Sequence, residues 1–306
     1  MLEIPVICGP TGSGKTSVAV ELAGYFPLEV VSADSRQMIK YLDIGTAKST
    51  RAEQEKVPFH LIDIVEPGER YTAYRFIEDA EEIIEKTICQ RKIPVVVGGT
   101  GLYLKALTEG VVKIDNKDAS IREKLESEMD TKGAEKMYAR LEQIDSLEAA
   151  AIHPNNKVRI VRALEIFYLT GKTKSELVAN GTYKKSKYDF QYFCLIPERQ
   201  KLYQVIDDRV DLMVNCGLPG EVKSLVDKGL EKNIKNANVI GYNEMIDYIN
   251  GICSLEEAVN QIKQNTRRYA KRQITWFRHQ VSARYFPNKS GLTEELKAIL
   301  SKIDYV

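Results

Sequence analysis

Eight residues near the start of the chain carry its clearest chemistry: Gly9, Pro10, Thr11, Gly12, Ser13, Gly14, Lys15 and Thr16. Their pattern, G-x-x-x-x-G-K-T between an apolar run and a helical one, is that of a phosphate-binding loop. Glycines let the backbone curl until successive N–H groups and the following helix N-terminus point at anionic oxygens. Lys15 adds a compact positive charge, and the Thr16 hydroxyl can ligate Mg²⁺ beside the phosphates. Asp34 opens Asp34-Ser35-Arg36-Gln37 after the next apolar run. An aspartate there is either a turn former or a base. Gly98-Gly99-Thr100-Gly101 ends a later run, as a tight turn or as backbone that lets a ligand come close. Nucleotide hydrolases usually offer an acid at such a strand end to hold their metal. None stands between Gly98 and Tyr103, which leaves room for a diphosphate in some role other than phosphoryl transfer.

These groups need elements to position them. Ile4–Cys8, Glu29–Ala33, His60–Val65 and Ile93–Val97 read as strands, the last apolar on both faces like a buried parallel strand. Thr16–Tyr25 reads as a helix. So do residues 73–90, where Ala73, Phe76, Ile77, Ala80, Ile83, Ile84 and Ile88 share a face and Thr72 is a candidate N-cap. Strands alternating with helices predict a parallel α/β sheet with catalytic groups at the carboxyl ends of its strands.

After about residue 112 the pattern changes. Residues 117–148 are densely charged and helix-forming, and residues 153–187 are basic, with Lys157, Arg159, Arg162, Lys172, Lys174, Lys184, Lys185 and Lys187 against only Glu165 and Glu176. Tyr188–Ile196 returns to a strand, and residues 198–306 read as helices without repeats or low-complexity tracts. The simplest organisation is an α/β core, 1–112 and 188–306, interrupted by a helical insertion at 113–187.

The composition narrows the class. With 43% hydrophobic and 28% charged residues the chain can bury a core of its own. A net charge of +1 excludes polyanion binding through overall charge, so any nucleic-acid surface must be a local patch. The longest uncharged run, Ile93–Leu104, is well short of the roughly 20 residues of a membrane helix. Five scattered cysteines without a C-x-x-C pair fit a reducing compartment and small buried hydrophobes. With a motif beginning by Gly9, no cleavable leader is legible, and the expectation is a soluble cytoplasmic protein.

Four motifs together, Gly9–Thr16, Asp34–Gln37, Asp43-Ile-Gly-Thr-Ala-Lys48 and Gly98–Tyr103, resemble those of the bacterial tRNA dimethylallyltransferases. The likeness continues through Arg159 with Arg162-Ala-Leu-Glu165, Arg209-Val210, Ile240-Gly-Tyr242, Thr266–Gln273 and Thr275-Trp-Phe-Arg278, over nearly the whole chain. Departures are small: Gly12 stands where the family usually has Ala, and Phe59 precedes His60 where a His–His pair is common, so His60 is given no catalytic role.

The resemblance implies a P-loop NTPase-like parallel sheet core with an inserted helical tRNA-binding domain. It implies transfer of a dimethylallyl group from dimethylallyl diphosphate to the exocyclic N6 amine of the adenosine 3′ of the anticodon, releasing diphosphate. Asp34 would be the base or hydrogen-bond acceptor for the amine, and Lys15, Thr16 with Mg²⁺, and Arg209 would absorb the diphosphate charge, with Thr11 and Thr100 near the reacting partners. The anticodon stem-loop of tRNA would meet Asp34, Ser35, Arg36, Gln37, Thr100, Arg122, Val158, Arg159, Ile160, Val161, Arg162, Gly241, Tyr242, Arg267, Lys271, Arg272, Gln273, Trp276 and Arg278, with Tyr269 and Trp276 as candidate stacking groups. A monomer meets every need of this reading. Three alternatives stay open at this level: an isopentenyltransferase acting on free AMP, ADP or ATP, a P-loop kinase for a small metabolite, and a non-catalytic RNA-binding protein. The long basic insertion speaks against the first, and the intact loop with Asp34 against the last.

Overall fold

Ile4, Val6, Ile7 and Cys8 leave neither face of their strand to water, and β1 (Glu3–Cys8) accordingly lies inside a parallel sheet. The computed structural model describes residues 3–112, 119–181 and 183–302. After β1 come α1 (Lys15–Ala23), β2 (Leu28–Ala33), α2 (Arg51–Lys56), β3 (Phe59–His60), α3 (Ala73–Cys89), β4 (Ile93–Gly98) and α4 (Gly101–Glu109). Then follow β5 (Val111–Val112), α5 (Ala119–Ile144), α6 (Ser146–Ala150), α7 (Lys157–Thr170), α8 (Lys174–Ala179) and β6 (Tyr183–Lys184). The chain continues through β7 (Asp189–Leu195), α9 (Arg199–Asn215), α10 (Leu218–Asp227), α11 (Glu231–Ala237), α12 (Tyr242–Ile249), α13 (Leu255–Gln280), β8 (Ala283–Phe286) and α14 (Lys289–Leu300).

Two compact units result, Met1–Thr108 with Ser186–Val306, and Glu109–Lys185. The sequence placed the insertion at 113–187, and residues 113–118, where it was to begin, lie outside the described residues.

In the first unit the strands run in the order β3-β2-β4-β1-β7-β8, all parallel. On one face, Leu292, Leu296 and Leu300 of α14 pack with Val18, Ala19 and Leu22 of α1 and with Ile7, Val95, Val97 and Phe193 of the sheet. Each buried leucine contributes about 1.5–3 kcal/mol, so the last helix is a substantial part of the core that seats the first. The register decides where the motifs go. Ala33 lies opposite Gly98, Gly98 opposite Cys8, and Cys8 opposite Cys194. The residues that follow, Asp34, Gly99 and Gly9, therefore leave three adjacent strands at one level.

Two sequence expectations need correction. The strand His60–Val65 stops at His60, because Leu61 (φ 62°) and Asp63 (φ 56°) adopt left-handed backbone that a strand cannot carry, and Val65 makes only an isolated bridge to Ile39. The segment after 198 is not all helix: Ala283–Phe286 adds the edge strand β8 beside β7. α3 forms where its apolar spacing places it, with the Thr72 hydroxyl accepting from Arg75 N–H, a cap worth about 1 kcal/mol.

The second unit has its own core of Leu125, Met129, Met137, Leu141, Ala149, Ile152, Ile160, Val161, Ala163 and Leu164. α5 breaks at Gly133 (φ 82°). α7 begins at the Asn156 cap and ends on left-handed Gly171. Among the described residues no helix is long and apolar enough to cross a membrane.

Candidate active site

Past Cys8 the chain must turn sharply, and only glycine fits at the bend. A Cβ on Gly9 would sit 2.3 Å from the Leu195 carbonyl. Gly12 and Gly14 take φ of 78° and 95°, and α1 starts at Lys15 with its first N–H groups facing the loop's hollow. Ser13 Oγ is buried in this loop without a hydrogen-bond partner. Such an orphan needs an explanation, and a bound anion supplies one. The Thr16 hydroxyl makes no hydrogen bond among the described residues, so it is available to a cation. No cluster of three His, Cys, Asp or Glu side chains among those residues forms a ready-made metal cage. That donor set fits Mg²⁺, which keeps water and substrate phosphates as most of its ligands.

Charge gathers at the same place. Lys15 Nζ rests on the Pro10 carbonyl at 2.8 Å, and burial lowers its pKa to about 8, with Asp34 opposing the shift and Arg209 adding to it. Arg209, on α9, is likewise pushed down by burial, with Asp34 and Glu53 opposing. Arg209 makes no hydrogen bond or ion pair among the described residues. Two half-buried cations thus face one carboxylate, an excess of positive charge that suits an anionic ligand.

Asp34 is both the turn former and the available carboxylate. Its Oδ1 accepts from the Arg36 and Gln37 N–H groups at 2.9 and 3.4 Å, and Oδ2 has no hydrogen bond among the described residues. Thr100 N–H donates to the Ala33 carbonyl at 3.1 Å, and its Oγ1 accepts from Ser35 N–H at 2.9 Å. Asp34 and Thr100 are therefore neighbours by construction. The glycines around Thr100 serve close packing within the protein. A Cβ on Gly98 would meet the Ala33 carbonyl at 2.2 Å, one on Gly99 the Gln273 amide at 2.6 Å, and one on Gly101 the Trp276 ring at 2.6 Å.

Arg36 and Gln37 are tied inward. Arg36 Nη1 donates to the Ala237 carbonyl at 2.6 Å, and Gln37 Nε2 donates to the carbonyls of Thr46 and Ala47. The 43–48 loop they meet is further held by Lys48, whose buried ammonium reaches Asp43, Asp63 and the Ile39 carbonyl. Glu221 accepts from Ile44 N–H at 2.9 Å and from the Tyr242 hydroxyl at 2.5 Å. Motif reading quoted Asp43–Lys48 without a role for Lys48 and missed Glu221, which has no local signature.

Several expected RNA contacts are not on the surface. Tyr242 is fully buried, its hydroxyl accepting from Gly45 N–H, and burial beside Glu221 pushes that phenol far up, so its side chain serves the fold. Gly241 caps α12 with φ 97°, its N–H held by Glu244. Ile160 and Val161 lie in the insertion's core, whereas Val158 and Arg159 on the same helix are exposed and Arg162 half-buried, pairing with buried Glu165 at 2.7 Å. The 3.6-residue period splits 158–162 between core and solvent. Arg122 reaches Glu126 at 2.8 Å.

On α13, Lys271, Arg272 and Arg278 are exposed, and Arg267 is paired with Asp207 of α9. Gln273 is 7% exposed, turned inward and away from the RNA contact expected of it, whereas Trp276 is half-buried with its ring against Gly101. Tyr269 is half-buried with Arg272 over its ring. One neighbour had no signal in the sequence: Lys289 at the start of α14, whose chain passes the Gly14 backbone and whose Nζ lies 3.5 Å from Ser17 Oγ.

Known proteins match this arrangement along its length. The family model described as IPP transferase matches residues 37–280, and one described as isopentenyl transferase matches residues 2–63. tRNA dimethylallyltransferase 1 of Syntrophotalea carbinolica is 41% identical over 98% of this chain and 96% of its own. The crystal structure of the full-length tRNA isopentenylpyrophosphate transferase from Bacillus halodurans superposes with a TM-score of 0.69 at 38% identity, covering 98% of this chain and 95% of that one. A eukaryotic dimethylallyltransferase acting on tRNA gives a TM-score of 0.80 at 29% identity, over 98% of this chain and 78% of that one. With a family model spanning most of its length and a full-length relative above 40% identity, the chain belongs to the IPP transferase family.

Proposed function

We propose that this chain transfers a dimethylallyl group from dimethylallyl diphosphate to the N6 amine of the adenosine 3′ of the anticodon in tRNA, releasing diphosphate. The observation that carries the reading is the juxtaposition of a cation-rich phosphate loop with an available Asp34 carboxylate and Thr100, in a chain of this family. The adenine amine is a poor nucleophile because its lone pair is delocalised into the ring. Attack becomes feasible when the electrophilic carbon tolerates positive charge and a base takes the amine proton as the bond forms. Asp34 Oδ2 is the acceptor for that proton, held by the turn its Oδ1 makes. Lys15, Arg209 and the loop N–H groups stabilise the charge that grows on the departing diphosphate. Thr16 and the diphosphate oxygens would hold Mg²⁺, which when bound supplies further charge neutralisation.

The target adenine is stacked in its loop and must be extruded, which costs a few kcal/mol and calls for contacts to the splayed RNA. Exposed Val158 and Arg159 of the insertion and Lys271, Arg272 and Arg278 of α13 are the surfaces proposed for it. Lys15, Thr16, Asp34, Thr100 and Arg209 belong to one chain, which supports a monomer as the proposed working unit. Its place is the cytoplasm, where its tRNA substrate resides and thiols such as its free cysteines stay reduced.

Mass spectrometry of unmodified tRNA after incubation with the protein, Mg²⁺ and dimethylallyl diphosphate, with AMP in parallel, tests the reaction. A prenyl mass gain on the anticodon-loop adenosine and none on AMP is expected. Prenylation of AMP alone would reassign the acceptor. Asp34→Ala should abolish transfer while leaving tRNA affinity within about a few-fold, and turnover comparable to wild type would remove Asp34 as the base.

A further inference from the structure

Helix α13 touches the site at several points. Lys263 and Arg267 pair at 2.6 and 2.5 Å with Asp211 and Asp207, the residues two positions either side of Arg209 on α9. Trp276 lies on Gly101. Between these contacts Gln273 faces the P-loop. Its Oε1 accepts from the Thr11 N–H at 2.8 Å, and its Nε2 donates to the Gly99 carbonyl at 2.9 Å. A backbone N–H only donates and a carbonyl only accepts, so these partners fix the orientation of the carboxamide. Gly99 is followed by Thr100, whose hydroxyl is bonded to Ser35 beside Asp34. Gln273 is thus a direct link between the loop that grips a diphosphate and the turn beside the carboxylate that receives a proton.

We propose that Gln273 is a positioning residue for prenyl transfer: its carboxamide sets the spacing between the P-loop at Thr11 and the turn at Gly99. The proposal rests on the prenyltransferase reading above. In that reaction the N6–carbon bond forms and the carbon–oxygen bond breaks, its electron pair leaving with the diphosphate while the amine proton passes to Asp34. Amine and leaving oxygen must therefore be held at opposite sides of one carbon, and a misplacement of about 1 Å costs on the order of 100-fold in rate. Gln273 touches neither reactant in this scheme and acts through the two backbones it joins.

The test uses the full chain carrying Gln273→Ala, Gln273→Glu, Gly99→Ala, and Gln273→Ala with Gly99→Ala together. Steady-state prenylation of tRNA gives kcat and both KM values, and calorimetry gives the affinity for inorganic diphosphate without tRNA. Gln273→Glu keeps an acceptor for Thr11 N–H and sets a carboxylate oxygen against the Gly99 carbonyl. Both Gln273 variants should lose about tenfold or more in kcat and several-fold in diphosphate affinity, with KM for tRNA within about twofold. Gly99→Ala alone puts a Cβ 2.6 Å from Gln273 Nε2 and should show the same loss. In the Gln273→Ala background the amide is gone and the nearest neighbour of that Cβ is the Gly9 carbonyl at 3.2 Å, so Gly99→Ala should add less than it costs alone.

Gln273→Ala, which leaves room for a bridging water, keeps the test usable if Gln273→Glu does not fold. A raised KM for tRNA with kcat and diphosphate affinity intact would make Gln273 an RNA contact and overturn the proposal. Additive effects of the two substitutions would overturn it as well. If the wild-type chain prenylates no tRNA, it is the functional reading that falls. The link is then judged by diphosphate calorimetry alone, where unchanged affinity in both Gln273 variants would sink it.

Discussion

Burial holds the Lys15 ammonium at about 8, against the pull of Asp34 and with Arg209 adding to the depression. Two opposite pH dependences come from that one group. Its folded pKa lies below the 10.5 of a free lysine, so between about 8 and 10.5 the unfolded chain binds more protons, and stability contributed by this group rises with pH across that window. Over the same window the cradle loses a charge and grips anions less well. Denaturant unfolding and metal-free calorimetry of inorganic diphosphate at pH 7 and 9.5, comparing wild type with Lys15→Met, check both. Wild type should gain stability relative to the variant as pH rises, while its advantage in diphosphate affinity shrinks. Flat differences in both would mean that Lys15 keeps its proton throughout. The residues of this cluster were legible because a phosphate loop is written in one contiguous stretch and Asp34 ends an apolar run. The function of Gln273 was not, since its partner Thr11 is 262 positions away and only the fold joins them.

At the scale of elements, the 43–48 loop shows how a buried polar group can pass for a binding residue. Tyr242 lies in a stretch matching a motif of an RNA-modifying family, yet its hydroxyl bridges Glu221 and Gly45 N–H beneath that loop. Tyr242→Phe removes a hydrogen bond to a charged acceptor and should cost about 1–3 kcal/mol in urea unfolding, with tRNA affinity within about twofold. A large loss of tRNA binding at unchanged stability would return Tyr242 to the RNA interface. The elements themselves were legible where burial imposes a pattern: β1, β2, β4 and β7 are apolar runs, and α3 has a single apolar face. β8 was not, because four residues at a sheet edge, two of them exposed, carry no such run. The end of β3 was hidden for another reason. Leu61-Ile-Asp-Ile-Val65 has strand composition, and only the left-handed backbone at Leu61 and Asp63 breaks it.

For the whole molecule, the first unit closes on itself where the second departs and returns. Ser186 N–H donates to the Leu107 carbonyl at 3.1 Å, so the two ends of the core lie side by side. Replacing residues 109–185 with a short Gly-Ser linker should therefore leave a folded core that binds inorganic diphosphate near wild-type affinity. Anticodon stem-loop binding should fall, by about tenfold or more, if the exposed basic positions of α7 supply contacts. Circular dichroism, calorimetry and a filter-binding assay check the three parts, and intact RNA binding by the excised protein would place recognition elsewhere. The strand order has a consequence for synthesis as well. The ribosome makes residues 9–16 well before their partners: β1 needs β4 and β7 as neighbours, α1 needs Leu292–Leu300, and the loop's partner Gln273 emerges more than 250 residues later. A nascent chain thus exposes an unfinished phosphate loop until those partners have emerged. Diphosphate affinity in a ribosome-bound series of lengthening chains would appear only once Gln273 and Leu292–Leu300 have left the tunnel, a readout of completed folding carried by the protein's own ligand.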